Sequence, residues 1–158
     1  MRFPPVKGAN LQRKRVQLPD DFEGDINVVA IAFQQWQQSM VDSWVALLEE
    51  LERSVPGLRY YELPTIERLD PLSRTFINEG MRAGIRDHVT REKTITLYVD
   101  KKAFRDALAL PDESTIYLLA VDRAGNVLWR SQGPSSPAKT QSLVRMLRDH
   151  LSSEEVSQ

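Results

Sequence analysis

At 158 residues, with 41% apolar and 27% charged side chains and a formal net charge of −1, the chain has the balance of one globular domain. So small a net charge argues against nucleic acid or an anionic membrane as the main partner, because both select a concentrated positive surface. It contains no cysteine, which excludes thiol–disulfide exchange and peroxide reduction by a thiolate, since the thioethers of Met1, Met40, Met81 and Met146 have no proton to lose.

The N-terminal Met-Arg-Phe-Pro-Pro-Val-Lys-Gly has neither the apolar core of a secretory signal nor the Arg- and Ser-rich character of a transit peptide. Pro4, Pro5 and Gly8 oppose regular structure, so residues 1–12 read as an irregular segment. Arg13 to Leu18 alternates into a short strand that Pro19 stops. Its cations Arg13, Lys14 and Arg15 are answered by Asp20, Asp21, Glu23 and Asp25, which reads as a solvated face. Ile26 to Phe33 is apolar on both alternating faces, the pattern of a strand covered on both sides. The apolar run within it, Val28 to Phe33, has six residues, against about 20 for a membrane-spanning helix.

Met40, Trp44, Leu47, Leu48, Leu51 and Val55 recur at spacings of three and four, the stripe of an amphipathic helix. Pro56-Gly57 ends it, and Leu58 to Leu63 gives another strand. Asp70-Pro71 starts a helix carrying Leu72, Phe76, Ile77, Met81 and Ile85. Thr94 to Val99 alternates as a strand, and Asp100 caps a short helix burying Phe104, Ala107 and Leu108. Ser114 to Val121 and Val127 to Arg130 form a hairpin around Asp122-Arg123-Ala124-Gly125-Asn126. Ser136-Pro137 opens a last helix with Leu143, Leu147 and Leu151 on one face, and 152–158 reads as a frayed tail. The order predicts an α/β fold in a single domain, residues 13–151: a central mixed sheet flanked by helices on both faces, with an N-terminal β extension.

Three stretches carry a family resemblance. Leu18-Pro19-Asp20-Asp21-Phe22-Glu23-Gly24 and the strand after it resemble the lead-in to the first strand of peroxiredoxin-like proteins. Met40-Val41-Asp42-Ser43-Trp44 resembles the Met-Val-x-Ser-Trp segment of the mitochondrial ATP synthase assembly factor ten family. The block Phe104-Arg105, Leu108, Ile116 to Asp122, Gly125-Asn126-Val127-Leu128-Trp129 and Gly133 is similar to that family's C-terminal pattern. The resemblance covers about residues 18–147 and implies a thioredoxin-like fold and a role in assembling ATP synthase. Two departures matter. Where redox relatives place Cys-x-x-Cys, this chain has Gln34-Gln35-Trp36-Gln37-Gln38-Ser39-Met40. Where they place a cis-proline, it has Glu113-Ser114-Thr115-Ile116.

No other chemistry is legible. Ser39 as a nucleophile would need a base, and only His88 and His150 are available. Two separated histidines give zinc too few ligands, the acidic cluster lacks a calcium-loop pattern, and the glycines form no phosphate loop. No cofactor or metal is expected. Trp44 belongs to the core stripe, whereas Trp36 sits among four glutamines at the former redox position, where it is either exposed and used in a protein contact or covers the end of the core. The expected function is a redox-inactive binding or assembly factor that holds a polypeptide segment, with ATP synthase subunits as clients by resemblance. The candidate contact residues are Trp36, Gln37, Ser39, Met40, Ser114 and Trp129. Two alternatives stand beside it: a non-redox enzyme using Asp87, Ser39 or Ser114, and a structural homodimer pairing through the Val127–Trp129 edge. The expected compartment is the cytoplasm for a prokaryotic source and the mitochondrial matrix if the family resemblance extends to a eukaryotic one.

Overall fold

The computed structural model describes residues 1–68 and 93–157, the last five by backbone alone. Strands β1 (Val6–Asn10) and β2 (Arg15–Leu18) lead to β3 (Ile26–Ala32), a 3-10 turn (Gln35–Gln37) and helix α1 (Gln38–Ser54). Then come β4 (Leu58–Glu67), β5 (Ile95–Val99), α2 (Lys101–Ala107), the hairpin β6 (Tyr117–Asp122) and β7 (Val127–Gln132), and α3 (Pro137–Ser157). They build one seven-stranded sheet in the order β2-β1-β5-β4-β3-β6-β7. The pairings β3/β4 and β4/β5 are parallel and all the others antiparallel, so the sheet is mixed.

Burial follows from the alternation along the strands. Val28 and Ala30 of β3 face the layer of α1 and α3, where they join Val41, Trp44, Leu48, Leu143 and Leu147. Val29 and Ile31 face the opposite layer, with Phe104 and Leu108 at α2 and with Phe3 and Phe22. Because β3 and β6 are covered on both sides, neither has a polar face. Trp44 is fully buried and its indole N–H donates to the Gly133 carbonyl at 2.9 Å, which satisfies the ring's polar handle. Gly57, at φ +82°, takes the left-handed conformation that lets the chain leave α1 for β4. Asp100 caps α2 by accepting from the Ala103 N–H at 3.0 Å.

Several expectations are corrected. Residues 1–12 are not irregular, because β1 is inserted between β2 and β5 and Phe3 lies in the core, edge-on to Phe22 and Phe104. Gly8 makes this possible: a Cβ there would stand 2.6 Å from the Thr96 carbonyl oxygen. Strand β4 runs on past Leu63 because its pairing passes from β3, up to Pro64, to β5, from Thr65. Ala107 is exposed, while Phe104 and Leu108 are buried. The tail is helical to Ser157, since no Pro or Gly interrupts the hydrogen-bond ladder. Two of the acidic side chains do not answer the basic hairpin: Asp21 accepts from the Gln17 N–H and Asp25 pairs with Arg123.

The helix expected from Asp70-Pro71 and the connection holding Asp87 and His88 lie outside the described residues. Among the described residues no helix is long and apolar enough to cross a membrane.

Candidate binding edge

The parallel strands β3 and β4 point their C-terminal ends at the same edge of the sheet, and the chain leaves β3 there through Phe33 and Gln34. The Gln37 N–H donates to the Gln34 carbonyl at 3.0 Å and closes a single 3-10 turn. The Gln37 side chain folds back under this turn and is fully buried. Its Oε1 accepts from the N–H of Phe33 at 2.9 Å and of Gln34 at 3.2 Å. Its Nε2 donates to the Glu113 carbonyl at 2.7 Å, in the loop before β6. One amide thus ties the loop after β3 to the loop before β6. The turn leaves Trp36 61% exposed, with Gln34, Gln35, Gln38 and Ser39 also exposed around it.

Charge beside this edge is internally compensated. Glu113 accepts from Lys101 Nζ at 3.2 Å and meets Arg105 Nε at 3.5 Å. Its carboxylate also lies 3.4 Å from Gln34 Nε2, and Lys101 reaches the Phe33 carbonyl at 3.5 Å. Behind α1, Glu62 of β4 is 9% exposed and accepts from Gln38 Nε2 at 3.0 Å, while the same nitrogen donates to Asp42 at 2.9 Å. Burial, first, and the nearby Asp42 charge push the Glu62 carboxyl above its ordinary range, against the pull of the Gln38 hydrogen bond.

The expected contact residues divide by position. Trp36, Ser39 and Ser114 are exposed at this edge, and Met40 is half-buried beside it, its sulfur 3.6 Å from the Thr115 hydroxyl. Gln37 belongs to the edge, but its side chain is turned inward and buried. Trp129 lies on β7, its N–H donating to Ser142 of α3 at 2.9 Å and its ring edge-on to Trp44 at 6.3 Å. That indole is a packing element between sheet and helices. The partners Glu113, Lys101 and Glu62 were not legible as site residues: Lys101 and Glu113 stand beside other charged residues, Glu62 lies within an apolar strand, and only the fold brings their partners to them.

For acid–base chemistry the edge offers little. The Ser114 hydroxyl donates to Asp112 at 2.7 Å, but that bond and the Ser114 N–H hold the exposed Asp112 carboxyl below its ordinary range, making it a poorer base than a free aspartate. The loop before β6 holds no cis peptide bond; the one among the described residues is Leu18–Pro19.

A mixed sheet with a parallel β-α-β unit, a closing hairpin and a terminal helix defines a thioredoxin-like fold. Solved structures agree. The chain is similar to the putative thiol:disulfide interchange protein DsbE from Chlorobium tepidum, at 13% identity and TM-score 0.58 over 94% of each chain. BsSco, of the Sco family of cytochrome c oxidase assembly proteins, matches at 13% identity and TM-score 0.62 over 93% of this chain and 92% of its own. Copper-bound ScoI from Arabidopsis thaliana matches at 12% identity and TM-score 0.61 over 94% and 99%. At such identities the likeness is one of fold. No curated protein matches significantly. The family model described as ATP10 protein matches residues 1–149, so the chain belongs to the ATP10 protein family.

Proposed function

We propose that this protein is a redox-inactive binding factor in ATP synthase assembly, and that it meets its client through the edge carrying Trp36. The observation that carries the reading is the 61% exposed indole, held on an anchored turn and ringed by uncharged Gln34, Gln35, Gln38 and Ser39. A large apolar surface with a polar rim is the composition of an interface hot spot. Membership of the ATP10 family supports ATP synthase subunits as clients. Without cysteine the fold's customary reaction has no sulfur to run on, so binding is what this edge retains.

The test is affinity capture of the tagged full chain from its native cells, with ATP synthase subunits quantified against a Trp36→Ala control. Enrichment by the native chain and at least a tenfold loss by the variant support the reading, that factor being about 1.4 kcal/mol of contact energy. No enrichment, or equal enrichment by both, would refute it. The homodimer reading is narrowed at β7: its Val127 N–H donates to the Met1 carbonyl and Arg2 bridges to Asn126, so the chain's own N-terminus occupies the start of that edge.

A further inference from the structure

We infer that Gln37 is a positioning residue: its amide holds the two loops of the edge together and fixes Trp36 outward, so that a client is met on the outer face of the Trp36 turn and not between the loops. The inference rests on the proposed reading of this edge as a contact surface. It starts from hydrogen-bond accounting. A buried primary amide is costly unless both its ends are satisfied, and here they are satisfied across chain segments 76 residues apart, from Gln37 to Glu113. The acceptor end takes two successive backbone N–H groups, of Phe33 and Gln34, which closes the end of β3. The donor end takes the Glu113 carbonyl.

That donor bond has a consequence for binding. An extended peptide lying between two loops needs free backbone groups to pair with, and the Glu113 carbonyl already uses one of its two acceptor positions on Gln37 Nε2 at 2.7 Å. The same loop is pinned from a second side, through the Glu113 side chain, by Lys101 and Arg105 of α2. A client that parted the two loops would leave a buried amide unpaired. A client that stacks on Trp36 from outside disturbs none of these bonds, and a turn held at both ends loses less conformational freedom on binding.

The test needs no client and is read by NMR on the full chain. In the native protein the Gln37 side-chain NH2 protons should exchange with water at least about tenfold more slowly than those of exposed Gln35. Gln37→Ala should speed exchange at the Phe33 and Gln34 amides about tenfold or more beyond any change at Leu119 in β6, and lower the order parameter of the Trp36 amide. Gln37→Glu separates positioning from packing. Its carboxylate can still accept from Phe33 and Gln34 but cannot donate to Glu113, whereas the protonated acid can. Trp36 order in Gln37→Glu should therefore recover on acidification while Gln37→Ala stays flat. Equal exchange at Gln37 and Gln35, or variants whose Trp36 order matches each other at every pH, would overturn the inference. Failure to retain ATP synthase subunits would instead strike the proposed function and leave these readings unchanged.

Discussion

An indole exposed over 61% of its surface has little packing to lose, so Trp36→Ala should change folding free energy by no more than about 0.5 kcal/mol. Trp44, fully buried against both the sheet and Trp129, is the contrasting case, because truncating such a ring costs about 3–5 kcal/mol. Denaturant unfolding of the two alanine variants checks both. Glu62 gives a prediction in pH. Its carboxyl is held above the ordinary glutamate range by burial, so the folded chain binds this proton more tightly than the unfolded chain. Glu62's contribution to stability is therefore greatest below the ordinary glutamate value and declines as pH rises through the elevated one. Glu62→Gln keeps an acceptor for Gln38 and removes the buried charge. It should raise neutral-pH stability by on the order of 1 kcal/mol and flatten the pH dependence; equal dependence in both proteins would show that Glu62 carries none of it.

At this scale the sequence tells composition better than direction. Trp44 is placed in the core by its three–four stripe, whereas the glutamines around Trp36 leave open whether the ring is exposed or covers the end of the core. Gln37 is not legible either: in a run of four glutamines nothing distinguishes the one whose side chain turns inward, since its partner Glu113 is 76 residues away. Trp129 was open between lying on the sheet and facing a partner; it stands on the edge strand β7, where α3 returns and offers Ser142 to the indole.

Among the elements, the N-terminal arm is where local signals and tertiary structure part company. Two prolines and a glycine read as a coil, yet Gly8 is what allows β1 to approach β5. Gly8→Ala would set a Cβ 2.6 Å from the Thr96 backbone oxygen, a contact that flexible side chains cannot relieve. It should cost about 1–3 kcal/mol in denaturant unfolding, and hydrogen exchange should show the β1/β5 pairing opening first. A neutral Gly8→Ala would mean that the arm is not seated as described. The central strands were legible because β3 and β6 are short apolar runs, rich in β-branched residues in β3 and bounded by turn signals, a length too small for a buried helix. Helix α1 was legible from its stripe, and α2 from its Asp100 cap. The helical end of α3 was not, because a polar tail carries no burial signal either way.

Over the whole molecule, the parallel core of β3, β4 and β5 and the antiparallel flank of β6 and β7 form one mixed sheet, in a chain without cysteine. The order of strands and helices along the chain was enough to predict this architecture, since short right-handed connections leave few other ways to cover such a sheet. The family resemblance at Met40–Trp44 and in the β6–β7 block then pointed to assembly, a conclusion that composition and spacing could not reach. The most direct test is complementation. In cells lacking this protein, assembled ATP synthase is measured on native gels after returning the native chain or Trp36→Ala at equal abundance. The account predicts that the native chain restores assembly and the variant does not. Assembly restored equally by Trp36→Ala, or unaffected by loss of the protein, would contradict it.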